Sequence, residues 1–488
     1  MSDRPNILIF NPDQWRGDVM GHMGNPAAVT PHLDAFAEQD AVSFRHAFCQ
    51  NPVCTPSRCS FMTGWYPHVR GHRTMFHMLH PDEPVLLKIL KDNGYFVWWG
   101  GKNDLVPAQN GFDAYCDVKY KPQRPLAPNL HSIDTWRGAP DGDNYYSFFA
   151  GKLETGADDV YYDSDWAMVD GAVEQIKQAP ADQPLCIYLP LSYPHPPYGV
   201  EDPWFSMIER DQLPPRIPAP DDWSPFPQIL AGIAEGQHLQ GWTEKRWDEL
   251  RATYYGMCAR VDAQFGKVIS ALKEANLYDD TAIFFFSDHG DFTGDYGLVE
   301  KTQNTFQDCL TNVPFLIKPP ANVASKPRIS DALVELVDFS ATVFDLLSID
   351  PGYDSFGRSL LPLIVGEQDE HRDAVFCEGG RIYGEEQAME QQSAAFYDPA
   401  ALYYPRVSIQ GREDGTHSKA AMCRTSDYKY VRRLYEQDEL YDLRYDPAEQ
   451  HNLINDETYW DVLLSMQDRL LTWYQETTDV VPQKTDER

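Results

Sequence analysis

Short apolar runs of strand length alternate with stretches of helical spacing through about residue 350. Asn6–Phe10 (NILIF) is a continuous apolar run of the buried-strand type, and the next periodic segment opens at Thr30-Pro31, an N-cap followed by a first-turn proline. Leu86, Leu87, Ile89 and Leu90 keep helical spacing up to Gly94, while Tyr95–Trp99, Leu185–Leu189 and Ala282–Phe286 read as strands. Such alternation predicts an α/β fold, a large, mostly parallel sheet sandwiched by helices, with ligands held beyond the carboxyl ends of its strands. Helical spacing returns at Val337–Ile349, and past about residue 366 the segments shorten. We therefore expect a larger α/β domain over 1–365 and a smaller C-terminal α+β domain over 366–488, with an antiparallel sheet and a terminal helix around 457–475. Residues 105–160 and 194–245, rich in Pro, Gly, Asp and Trp, are expected as long loops lining a cleft.

Composition narrows the function. The 488 residues carry 41 Lys+Arg against 74 Asp+Glu, a net charge of −33 whose field repels nucleic-acid phosphates and anionic lipid. A nucleic-acid partner is thereby excluded as the main function. A small anionic substrate is not, because clustered cations and a metal invert the potential inside a pocket. No apolar run reaches the 18 or so residues of a membrane span, and no export leader is visible, so a cytoplasmic protein without a membrane partner is expected. The nine cysteines are odd in number and lack CxxC spacing, which fits reduced thiols.

Chemistry concentrates in NPVCTPSRCSFMTGWYPHVRG. Cys54 precedes Thr55-Pro56, a helix start, so its side chain lies at a positive helix end suited to an anion. Arg58 follows one helical turn later, where its fork can hold the oxygen of residue 54 and a tetrahedral oxyanion. A second set, Asp13-Gln14 after the first strand and Asp288-His289-Gly290 after the strand Ala282–Phe286, places acceptors beyond two strand ends. Together with residue 54 they suggest one divalent metal.

C-T-P-S-R followed by MTGWYPHVRG resembles the signature of type I sulfatases, of the alkaline phosphatase superfamily. The resemblance implies that a dedicated maturation enzyme oxidises Cys54 to formylglycine, also reading Pro56 and Arg58, and that the hydrated aldehyde attacks sulfur. It further implies that Lys102, in Gly100-Gly101-Lys102, contacts the sulfate, that His195, in Pro194-His195-Pro196-Pro197, lies near the leaving oxygen, and that Lys301 neutralises that oxygen. VDFSATVFDLLSI and ELYDLRYDPAEQHNL also look like sulfatase elements, so the likeness runs nearly the whole chain.

Departures from the commonest pattern are informative. Gln14 and His289 stand where Asp and Asn are usual, which resembles the branch of phosphonate monoester hydrolases, choline sulfatases and some uronate 2-O-sulfatases. Ca²⁺ is the first expectation for the metal and Mn²⁺ the alternative, since an imidazole suits a transition ion. Asp104 occupies the position of the histidine thought to release sulfate, leaving Asp104 itself, His289 or a metal-polarised hydroxyl as substitutes. The expected activity is hydrolysis of a sulfate monoester, with a sulfated carbohydrate such as a uronate 2-O-sulfate as the candidate substrate and Gly71–Thr74 and His77 as cleft residues. The alternatives are a phosphonate monoester or phosphodiester hydrolase on the same site, and an unmodified metal-binding pseudoenzyme. Oligomeric state, including a homo-oligomer, stays open.

Overall fold

The computed structural model describes residues 4–155, 160–412, 414–485 and 487. Residues 156–159 of the expected loop 105–160, and 1–3, 413, 486 and 488 at or within the expected domains, lie outside the described residues. In chain order the strands are β1 (Asn6–Asp13), β2 (Val42–Phe48), β3 (Phe96–Trp99), β4 (Val118–Lys119), β5 (Phe149–Lys152), β6 (Leu185–Pro194) and β7 (Tyr198–Val200). They continue as β8 (Thr281–Phe286), β9 (Phe315–Lys318), β10 (Arg328–Glu335), β11 (Val375–Gly379), β12 (Ala420–Arg424), β13 (Tyr428–Arg433) and β14 (Glu439–Asp442). Eight of them form one sheet in the order β10-β2-β9-β8-β1-β6-β3-β4, all parallel except β9, which runs against β2 and β8.

β1 and β8 lie side by side at the centre, and their side chains are buried on both faces, which is why both read as unbroken apolar runs. The two-residue period then sorts them. Leu8, Phe10, Ile283 and Phe285 join one core with Phe36 of helix α1 (Pro31–Gln39) and Phe265. Ile7, Ile9, Phe284 and Phe286 join the other with Phe61 of helix α2 (Cys54–Thr63) and Phe339. Phe10 stacks on Phe285 at 5.6 Å, and Phe61 meets Phe286 edge-on at 5.0 Å.

The C-terminal region carries a four-stranded antiparallel sheet, β11-β12-β13-β14, under the helix Trp460–Thr477. That helix buries Met466, Leu470 and Trp473 against Phe376, Cys423 and Leu440. Arg372, just before β11, pairs with the buried Asp338 and Glu335 of the large body, so the small sheet is tied to the region that carries the site.

Within the expected loop 194–245 the chain forms the helix Gln228–Gln237, and the helix Glu244–Glu274 starts at its end. The latter runs 31 residues and is masked in the sequence because buried charges interrupt its apolar stripe. Arg260 pairs inward with Glu201 at 3.1 Å and Asp163 at 2.8 Å. Asp262 accepts from the backbone N–H groups of His32 and Leu33, two free donors in the first turn of α1.

Burial pushes the Asp262 carboxyl up to about 7, against roughly 3.9 in an unfolded chain. A raised folded value means that its contribution to stability is intact below pH ~4 and is lost as pH rises toward 7, since only the unfolded chain ionises over that window. Asp262→Asn has no such loss. The melting temperature of Asp262→Asn relative to the parent should therefore move in favour of the variant between pH 4.5 and 7.5; a constant difference would show that Asp262 is ionised in the fold.

Candidate active site

Every element that ends at the top of the central strands delivers a polar group to one point. β1 ends in Asp13, and Gln14 then takes φ 68°, a left-handed turn that non-glycine residues rarely adopt and that keeps its side chain at the strand tip. The Gln14 backbone N–H donates to Asp288 Oδ1 at 3.1 Å, coupling the tips of β1 and β8. Cys54 is the first residue of α2, a helix whose ten residues are all buried. Its Sγ lies 3.4 Å from Asp13 Oδ1 and 3.2 Å from His289 Nε2. Burial and the Asp13 carboxylate push this thiol up.

Arg58, one turn along α2 and fully buried, spans the two acids. Its Nη2 lies 3.0 Å from Asp13 Oδ2 and 2.9 Å from Asp288 Oδ2, while Nη1 donates to Asn11 Oδ1 at 3.0 Å and Tyr188 Oη at 3.3 Å. Lys102 reaches Asp13 Oδ2 at 2.6 Å and Asp104 Oδ2 at 3.0 Å. The turn before Lys102 requires glycine: Gly101 sits at φ 115°, and a Cβ there would meet the Pro190 carbonyl oxygen at 1.9 Å. Burial works against the charge of Asp104, but Lys102 and Arg58 hold its carboxyl below the usual value. Asp104 is thus an ion-pair partner of Lys102 and a weak base.

On the other side of Cys54, Lys301 donates to Gln14 Oε1 at 2.7 Å and to His195 Nε2 at 2.9 Å, and pairs with Glu300 Oε1 at 2.8 Å. His195 Nδ1 faces the Pro196 carbonyl at 2.6 Å. A carbonyl only accepts, so Nδ1 carries the proton and Nε2 offers its lone pair to Lys301. Burial and the Lys301 charge hold His195 well below its ordinary value, so it is neutral. Burial opposes the charge of Lys301, yet Cys54, Glu300 and Asp13 keep its ammonium above its usual range.

The donor set fits a divalent cation. Asp13, Cys54, Asp288 and His289 each place a ligand atom within 4.8 Å of the others. His289 Nδ1 donates to the Gly290 carbonyl at 2.9 Å, which turns its Nε2 lone pair into the cluster. Asp288 Oδ2 is buried and makes no hydrogen bond, although Arg58 stands beside it as an ion-pair partner. Such an orphaned carboxylate oxygen among two acids and an imidazole suits a hard or borderline ion. Gln14 stands beside this cluster, its amide oxygen accepting from Lys301 and its amide nitrogen donating to Asp291.

All nine residues singled out in the sequence converge here, but Gly71–Thr74 and His77 do not line the site as open reading groups. Arg73 donates to the Gly380 carbonyl at 2.6 Å and pairs with Glu385, His72 bridges the His77 carbonyl and Glu83, and His77 bonds Thr74. These bonds fasten the loop. Conversely, Asp291 and Glu300 escaped notice. Asp291, pushed up to about 6 by burial, gathers Gln14, Thr293 and the Tyr198 hydroxyl; Glu300 links Lys301 to Arg406, 3.2 Å away. Only their adjacency to the His289 and Lys301 motifs hinted at a role.

Comparison with known proteins agrees with this geometry. The family model described as Sulfatase matches residues 5–349. Arylsulfatase K of Gallus gallus is 27% identical over 390 residues, covering 76% of this chain and 68% of that one. The ulvan-active sulfatase of Formosa agariphila is 26% identical over 464 residues, covering 92% and 77%. In fold, the chain is similar to the phosphonate monoester hydrolase of Agrobacterium radiobacter, with a TM-score of 0.74, 23% identity, and 97% and 96% of the two chains aligned. A family match across the whole large sheet, with Cys54, Arg58 and the two acids meeting at its strand tips, leads to one conclusion: the chain belongs to the sulfatase family, within the alkaline phosphatase superfamily.

Proposed function

We propose that the protein hydrolyses a sulfate monoester, with a sulfated carbohydrate as the substrate, through an oxidised Cys54. The observation that carries this reading is the convergence of Cys54 with Asp13, Asp288 and His289 inside a ring of Arg58, Lys102 and Lys301. Three cations around one buried sulfur atom form a cradle for a tetrahedral anion. Asp13, Asp288 and His289, with Gln14 and residue 54 beside them, would hold one divalent ion, Ca²⁺ first and Mn²⁺ second; when bound, it supplies positive charge for the ester oxygens and the nucleophile. Formylglycine at position 54 supplies a geminal diol, one oxygen to attack sulfur and a second to expel sulfate.

The rest is done by the chain's own groups. Arg58 and Lys102 hold the anion against residue 54, where negative charge grows in the transition state. Lys301 holds the proton nearest the leaving oxygen, and neutral His195, accepting at Nε2, fixes its direction. Asp104, already committed to Lys102, is not the base that releases sulfate. Lys301→Ala should lower kcat about 10²–10³-fold on an unactivated alkyl sulfate, and less on a nitrophenyl sulfate whose alcohol leaves without help. Equal losses on both would remove Lys301 from leaving-group assistance.

The deciding experiment measures the peptide mass at residue 54, with and without co-production of a formylglycine-generating enzyme, alongside aryl sulfatase activity. Activity that rises with conversion supports the reading; full activity from the thiol overturns it. The second reading, a phosphonate monoester or phosphodiester hydrolase, draws on the fold likeness above, because the same cradle accepts a tetrahedral phosphorus. A phosphonate preference above about a hundredfold in kcat/KM, roughly 2.7 kcal/mol, would make it primary.

A further inference from the structure

Beside the site lies a cavity of about 310 Å³ whose inner end is formed by Lys102 and His195. That volume is at the lower end of the roughly 300–1,000 Å³ of small-molecule sites, room for one ring and its substituents. Leu126, Pro128, Leu130 and Pro197 make an apolar strip along it. His131 closes another side, its ring stacked on Tyr403 at 5.9 Å and an equal distance from the His195 ring.

The wall carries few charged groups. Among the described residues that line it, Lys102 is the one lysine or arginine, and it is the lysine assigned above to the sulfate, beside Asp13 and Asp104. The one lining carboxylate, Asp163, is occupied by Arg260 at 2.8 Å and by the Trp166 backbone N–H at 3.0 Å. Ser164, Ser192 and Asn129 also line the wall, and their side chains can exchange hydrogen bonds with a ligand. A carboxylate brought into this space would lose water and gain no counter-ion, a costly transfer. A sugar hydroxyl would find donors and acceptors of its own kind, and the ring's C–H face would find His131 and the apolar strip.

Resting on the sulfate-ester reading above, we propose that this cavity takes the alcohol half of the substrate and that this half is a single neutral sugar ring, not a uronate. Ser164, Ser192 and Asn129 read its hydroxyls, and His131 carries its face.

The test measures kcat/KM on a neutral hexose sulfate, a hexuronate sulfate and an aryl sulfate, with calorimetry of the same esters on Cys54→Ala protein, where no turnover occurs. The expected result is at least a tenfold preference for the hexose over the hexuronate ester in both readouts. Ser164→Ala/Ser192→Ala should lose at least fivefold more on the hexose sulfate than on the aryl sulfate, and Leu130→Lys should narrow the gap between hexose and hexuronate. Equal or better use of the hexuronate ester overturns the proposal, as do equal losses on sugar and aryl esters in the serine variant. If no sulfate is turned over but calorimetry keeps the neutral preference, the sulfatase reading fails and the cavity assignment stands; a reversed calorimetric preference defeats the cavity assignment alone.

Discussion

Cys54→Ser should retain less than about one ten-thousandth of the parent's turnover, the scale on which loss of a nucleophile falls. The change is nearly isosteric at a fully buried helix start, so the fold and the surrounding cradle should persist, and near-ultraviolet circular dichroism would verify that. Serine keeps one oxygen in place of sulfur and, left unoxidised, carries no geminal diol. It could at most accept sulfate once, leaving an ester that only outside water could break. A stoichiometric burst without turnover, seen as an 80-dalton mass increase on residue 54 (the approximate mass ~80 of an added SO₃ group), would be the most direct sign of that role. Turnover above one per cent in Cys54→Ser would assign the chemistry to another group.

Arg58→Ala should be the most damaging change to the framework. The guanidinium is wholly buried between Asp13 and Asp288, so its removal leaves the Asp288 carboxylate without its buried cation and Asp13 with Lys102 alone. Breaking a buried ion pair by removing one partner costs about 3–5 kcal/mol. Burial opposes the charge of Arg58, yet Asp288, Tyr188 and Asp13 hold it well above the usual arginine value, so the charge is permanent. Activity should fall at least about 10²–10³-fold with loss of an oxyanion donor. Added Ca²⁺ or Mn²⁺ should raise the melting temperature of Arg58→Ala more than that of the parent, because a cation at the acids then replaces the missing charge. A variant as stable as the parent without metal would contradict this account of the two acids.

The parts of the fold that were legible are those in which one physical demand dominates. β1 and β8 are buried on both faces, so their residues could be nothing but apolar, and their ends had to be where Asp13 and Asp288 emerge. The Cys54–Arg58 spacing is one helical turn and needs no tertiary knowledge. The helix Glu244–Glu274 was illegible because Arg260 and Asp262, buried for their ion pair and capping bonds, break the period that signals a helix. The partner of Arg73 was illegible for the opposite reason: Glu385 lies 312 residues away, and an arginine with a distant partner looks free. Asp291 and Glu300 act through Tyr198, Gln14 and Arg406, contacts that only the folded chain assembles.

The complete burial of α2 imposes an order of events. No residue from Cys54 to Thr63 reaches the surface, and the helix is wedged between the large sheet and Phe339. A catalyst that must grip the segment around Cys54 can do so only while that segment is still extended. If Cys54 is oxidised as proposed, that oxidation would compete with folding rather than follow it, and each molecule's fate would be decided once, on the nascent or unfolded chain. A preparation would then be a fixed mixture of converted and unconverted molecules, whose proportion reports the race at synthesis and does not drift on storage.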